Sequence, residues 1–212
     1  GSERGGNVIA GTAPQRSAKE IGDFYEYGLH EHVTVANQQT KQIAFLDIGN
    51  AHATKLYDYD AGYFSSPPQP EHATVNVRFE NGDEALPQGT IRVYMRDAKG
   101  DPKFIGEQYV GHTSAGSTIG LEIGQAFDVT VQPVIVASER RDHGSRYEMA
   151  YDLRNARAEA VTVRLKQDGL NGGKVIDESQ KSTRLDTNTL AWDVHVPAHG
   201  KVTLTATVET GS

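Results

Sequence analysis

Apolar and polar residues alternate with a period of two along most of the chain. The clearest case is the C-terminal run KVTLTATVE, where Val202, Leu204, Ala206 and Val208 interleave with Thr203, Thr205 and Thr207. That pattern gives a strand with one buried face and one wet face on a β-branched background. HVTV, KQIAFLDI, ATVNVRFE, TIRVYMRD, VTVRLKQ and AWDVHV carry the same spacing and predict further strands. Helical periodicity is almost absent. SAKEIGDF, residues 17–24, is the one stretch that reads as a helical turn.

Turn residues punctuate the strands. ENGDE around Asn81-Gly82 and DAKGD around Lys99-Gly100 are hairpin signals, because glycine adopts the positive φ such turns require. DGLNGGK, residues 168–174, is a glycine-rich connection, and SSPPQPEH, residues 65–72, reads as an exposed polyproline-like loop. Short strands joined by tight turns, with no helical crossover, predict antiparallel sheets. Pro133 would interrupt a central strand. The expectation is therefore an all-β chain of two antiparallel β-sandwich domains: a lead-in over 1–21, a larger sandwich over 22–133, and an immunoglobulin-like sandwich over 134–212. In the second, Met149, Tyr151 and Leu153 face inward against Trp192, Val194 and Val196.

Composition narrows the partners. The 212 residues carry a formal net charge of −7 and are 37% hydrophobic, with a mean hydropathy of −0.53 and a pI near 5.6. An acidic chain with scattered Lys and Arg has no general attraction for nucleic acid or anionic lipid. No apolar run approaches the roughly 18 residues of a membrane-spanning helix, so direct membrane insertion is not expected. Cysteine is absent, which excludes disulfides, thiolate metal sites and cysteine nucleophiles. Gly1-Ser2 reads as the remnant of a proteolytic cleavage, and an export signal, if the protein has one, would lie upstream.

Candidate chemistry is sparse. GHTSAGSTIG holds His112, Ser114 and Ser117 but fails the G-x-S-x-G elbow, and Gly111, Gly116, Gly120 and Gly124 read as strand bends. His30 and His32 share one strand face and offer two imidazoles to one ion, with His52, His72 or a carboxylate as further ligands. Asp58 and Asp60, or Asp97 and Asp101, offer oxygens to calcium, but DAKGD lacks the full loop pattern and reads better as turn chemistry. Glu80, Asp83, Glu84, Glu107 and Glu122 supply carboxylates for a glycoside-hydrolase pair whose separation the sequence does not give. The richest binding material is KLYDYDAGYFSSPPQP, where Tyr57, Tyr59, Tyr63 and Phe64 crowd one segment in the manner of sugar-stacking or protein-binding surfaces. No cofactor or metal is expected. Arg92, Tyr94 and Arg96 share one face of their strand opposite Ile91, Val93 and Met95, a face suited to packing against the second sandwich.

One block carries a family resemblance. Leu86, Pro87, Gly89, Arg92, Val93 and Tyr94, then Phe104–Glu107, then Gly124, Ala126, Phe127, Asp128 and Val129 resemble the bacterial mucoidy-inhibitor-A-like family. YEYGLHEHVTVANQQTKQIAFLD and TLAWDVHVPAHGKVTLTATVE are similar to its opening and closing strands. The resemblance implies a C-terminal β-rich module in a bacterial envelope or secreted setting, in a family whose members often add an N-terminal domain and a coiled coil. It brings no assigned reaction and no catalytic residues. The expected function is a non-catalytic envelope or extracellular module, periplasmic or secreted, engaging a protein or polysaccharide partner. The alternatives are a glycan-directed hydrolase using a carboxylate pair of the first sandwich, and a structural spacer.

Overall fold

The computed structural model describes residues 19–21, 24–26, 53–83, 85–97 and 99–211. The chain runs β1 (Lys19–Ile21), β2 (Phe24–Glu26), β3 (Ala53–Ala61), β4 (Glu71–Glu80), β5 (Gly89–Arg96), β6 (Pro102–Val110) and β7 (Thr118–Arg140). It continues β8 (Ser145–Asn155), β9 (Val161–Gln167), β10 (Lys174–Glu178), β11 (Thr183–Arg184), β12 (Leu190–Val196) and β13 (Lys201–Glu209). The described residues hold no helix, and so none long and apolar enough to cross a membrane. The turn of helix expected over 17–24 is corrected: its described parts are strands, with Ile21 paired to Phe24. Gly22 and Asp23, the two residues between them, are types that favour tight hairpin connections over helix.

Nine strands form one mixed sheet in the order β10-β13-β8-β7-β4-β3-β9-β12-β11. All neighbours are antiparallel except β3 and β9, which run parallel with Tyr57 beside Val163. β1-β2 and β5-β6 are separate two-stranded sheets. The large sheet folds over itself. β8 and β12 are not neighbours within it, yet the rings of Tyr151 and Trp192 lie 6.1 Å apart. Alternation predicted this interior: Met149, Tyr151, Leu153, Trp192, Val194 and Val196 are all buried.

The expected boundary at 133/134 falls inside β7, which continues to Arg140. Residues from both sides of it share one core, with Tyr57, Tyr59, Ala73 and Val129 packed among Met149, Leu165 and Leu204. Pro133 is tolerated for a specific reason. It pairs with Tyr151 on one side, while on the other β4 has already ended, its Glu71 opposite Val131. Ile135, two residues on and so on the same edge, donates its N–H to Ser66 Oγ at 2.6 Å. Proline thus sits where the outer edge needs no ladder donor. The 65–70 loop covers that edge, its Pro67 carbonyl accepting from Gln132 Nε2 at 2.6 Å.

A polar chain crosses the core. Tyr151 donates to Gln167 Oε1 at 2.7 Å, and Gln167 Nε2 donates to the carbonyls of Gly62 and Asp168 at 2.9 and 2.7 Å. Above it, Trp192 Nε1 donates to Glu178 Oε2 and to the Gln180 carbonyl at 3.0 and 3.1 Å. That contact ties the β10–β11 connection, which joins the two ends of the sheet, down onto the core.

Tyr151→Phe keeps the ring and strips Gln167 Oε1 of its donor. A buried acceptor left unsatisfied costs about 1–3 kcal/mol. Denaturation followed by the fluorescence of Trp192, the chain's one tryptophan, is expected to show a lower midpoint with unchanged slope. A loss under about 0.5 kcal/mol, the range of an ordinary surface change, would show the hydrogen bond to be dispensable.

Candidate functional site

β7 alternates inward and outward residues, but the alternation slips twice between Ile123 and Val129. The pairing with β4 slips with it. Thr74 lies opposite Gln125, whereas His72, two residues earlier, lies opposite Thr130. Four residues of β7 (126–129) are therefore set against one of β4. Gly124 enters this irregularity at φ 134, a conformation that a side chain would strain. Bulges of this kind redirect side chains and frequently sit beside functional sites. Here the result is Phe127, with 89% of its surface exposed.

The broken ladder leaves a groove of about 450 Å³ bounded by Asp58, Tyr59, Asp60, Glu71, His72 and Gln125. His72 Nδ1 lies 2.9 Å from the carbonyl of Ala126, which the irregularity has released from the ladder. The same imidazole meets the Phe127 ring edge-on, with centroids 6.2 Å apart. The hydroxyl of Tyr59 donates to Glu71 Oε2. Burial of Tyr59, reinforced by this hydrogen bond and by the Glu71 charge, holds the phenol pKa well above its ordinary value of 10. Asp58 Oδ2 accepts from Asn76 at 2.8 Å and stands 3.6 Å from Arg78, while Asp60 pairs with Lys166 at 2.9 Å. The groove's own groups are mostly hydrogen-bond acceptors, and no Lys or Arg is among its lining residues.

The four aromatic residues expected to form a binding surface do not come together as one. Alternation on β3 turns Tyr57 and Tyr59 inward, in line with Ala61, and all three are buried. Phe64 is half buried and stacks on Tyr147 at 4.4 Å. Tyr63 alone is exposed, at 83%, and only the Tyr59 hydroxyl reaches the groove. Phe127 was the residue missed. Its signal is the slip in alternation across GQAFDV, a stretch that otherwise reads as part of a continuous strand.

The other candidates separate. His30, His32, His52 and Glu84 lie outside the described residues. Asp97 Oδ1 accepts the backbone N–H groups of Asp101 and Lys99 at 3.0 and 2.9 Å; these bonds, Asp101's first, hold its carboxyl below the usual range and mark it as turn chemistry. Among the described residues no group of three or more His, Asp or Glu is arranged to hold a metal ion. Ser114 and Ser117 lie in a turn held by Asn81, whose Nδ2 donates to the carbonyls of Thr113 and Ser114. Glu80, Asp83, Glu107 and Glu122 are exposed on separate elements, and none lines the groove. The Arg92-Tyr94-Arg96 face is not packed under a second sandwich. Tyr94, Phe104 and Tyr109 on it are 55%, 54% and 62% exposed; among the described residues the hairpin rests on β7 mainly through β6, with Gly106 against Ile123.

No family model, curated protein or solved structure matches the chain.

Because the folded protein keeps Tyr59 protonated to higher pH than the unfolded chain does, its contribution to stability is complete below pH 10 and declines as pH rises above it. Tyr59→Phe is expected to flatten the alkaline fall of the thermal midpoint while lowering it slightly at neutral pH. An unchanged alkaline slope would contradict the part-buried Tyr59–Glu71 bond.

Proposed function

We propose that the chain is a non-catalytic bacterial envelope or extracellular binding module that engages a polysaccharide through the β3–β4–β7 groove. The observation that carries this reading is Phe127, 89% exposed at the rim of a concave polar site. An aromatic ring held in water by a backbone irregularity supplies a stacking platform for the apolar face of a pyranose. The groove beside it presents Asp60, Glu71, His72 and Gln125, whose free lone pairs suit hydroxyl or ammonium donors. Glu71, whose hydrogen-bond partner is the neutral Tyr59 phenol, disfavours uronate, sulfate or phosphate groups, so the ligand is a neutral or amino sugar.

The envelope or secreted setting rests on the resemblance of residues 86–129 to the mucoidy-inhibitor-A-like family. An immunoglobulin-like description of the C-terminal strands belongs to the same proposal, supported by the contact of Tyr151 with Trp192 between facing strands. A hydrolase acting through Glu80, Glu107 or Glu122 finds less support, since none of these carboxylates lines the groove.

Affinity electrophoresis in gels containing a glucosamine polymer, a neutral glucan or a uronic-acid polymer tests the reading. Retardation is expected in one of the first two and not in the third. Phe127→Ala is expected to weaken it by about tenfold or more, as loss of a stacking ring does, without lowering thermal stability, because the ring packs on little. Equal retardation of wild type and Phe127→Ala, or retention by the uronic-acid polymer alone, would overturn it.

A further inference from the structure

Sheet edges expose unpaired N–H and C=O groups, and soluble proteins usually blunt them. Both ends of the nine-stranded sheet are blunted here. β11 is two residues long. β10 has five, and its pairing with β13 skips Ile176, a bulge that breaks its regular edge. β5 is different. It runs eight residues without Pro or Lys, and among the described residues its one strand partner is β6. The hairpin's own bulge lies in the other strand. Val93 pairs with Gly106 and Tyr94 with Phe104, so the extra residue is Ile105 of β6, and β5 keeps a straight, regular outer edge. A two-stranded sheet is also marginal by itself and gains from further strands.

We propose that β5 pairs antiparallel with β5 of a second copy of this chain, giving a two-fold dimer with a continuous β6-β5-β5-β6 sheet. The occupant follows from charge and register. Directly opposed residues in an antiparallel pair must share a face, so a two-fold centre near the middle of β5 falls on residue 92, 93 or 94. A centre at 92 sets Arg92 against its own copy. A centre at 94 sets Arg92 against Arg96 twice. Only the centre at Val93 avoids an arginine facing an arginine. That register places Arg92 opposite the partner's Tyr94, Tyr94 opposite the partner's Arg92, and Ile91 opposite the partner's Met95. Arg92 is already oriented by Glu107, 2.9 Å away, and Tyr94 by its edge contact with Phe104 at 5.7 Å. Each guanidinium then meets a tyrosine ring held for it, a cation–π pair formed twice.

The absence of cysteine makes the register directly testable on the full chain. At the two-fold centre, opposed Cα atoms lie about 4.5–5.5 Å apart, within reach of a disulfide. Val93→Cys is therefore expected to cross-link to dimer under mild oxidation. Thr90→Cys, whose two copies would stand about 20 Å apart at 3.3 Å per residue, is expected not to. Sedimentation equilibrium over a concentration series is expected to show a monomer–dimer equilibrium. Tyr94→Arg, which sets arginine against arginine, weakens it by about tenfold or more, and Tyr94→Glu, which offers Arg92 a carboxylate, retains it. Trp192 fluorescence checks that each variant folds. A chain that stays monomeric throughout the series, equal cross-linking of Val93→Cys and Thr90→Cys, or dissociation constants unchanged by Tyr94→Arg would each overturn the proposal.

Discussion

β7 runs for 23 residues and pairs with β4 over its first part and with β8 over its second, and one straight ladder does not satisfy both neighbours. The strand resolves this by slipping its alternation between Ile123 and Val129, at the glycine whose φ of 134 a side chain would resist. Val129 then returns to the interior, fully buried, and opens the ladder with β8 opposite Asn155. Of the residues passed over, Ala126 keeps its side chain in the core, while Gln125, Phe127 and Asp128 are exposed. Ala126 gives its carbonyl to His72, and Phe127 has nowhere to go but outward. The groove is thus a consequence of one strand serving two halves of a folded sheet.

One apolar core holds those halves together, and the polar chain across it fixes how they pack. Tyr151 stands on β8 and Gln167 at the end of β9, and their 2.7 Å hydrogen bond spans the fold. Gln167 continues to the carbonyls of Gly62 and Asp168, fixing the chain where it leaves β3 and β9. The turn after β3 carries Tyr63 and Phe64, both rings packed around Gly169. A buried network with every member satisfied specifies one packing. It fixes the ends of β3 and β9 against each other, where the two strands run parallel.

Much of this was legible in the chain. Period-two alternation identified β4, β5, β9, β12 and β13 and the six inward residues of β8 and β12, because alternation reports which face a residue takes; HVTV and KQIAFLDI lie outside the described residues. It does not report which strand lies alongside, so the β3–β9 pair, formed by residues a hundred positions apart, left no local mark. Pro133 was read as a boundary from a rule that holds for strands paired on both sides; here one side had already lost its partner. Tyr57 and Tyr59 drew attention through residue type, although their spacing with Ala61 already placed them inside. Phe127 was overlooked for the opposite reason. It lies where alternation fails, and a pattern that has slipped twice gives no face to a residue within the slip.

The proposed function rests on that slip: an exposed ring, an imidazole braced on a freed carbonyl, and acceptor groups set beside them on β3 and β4. The most direct test is an amide chemical-shift titration of the full chain with a glucosamine oligosaccharide and, separately, a neutral gluco-oligosaccharide. Binding at the groove predicts saturable shifts concentrated at His72, Thr74 and Gln125–Asp128 with one of the two sugars. Shifts centred on Tyr63, or on Tyr94 and Tyr109, with residues 72–74 and 125–128 unmoved would contradict it.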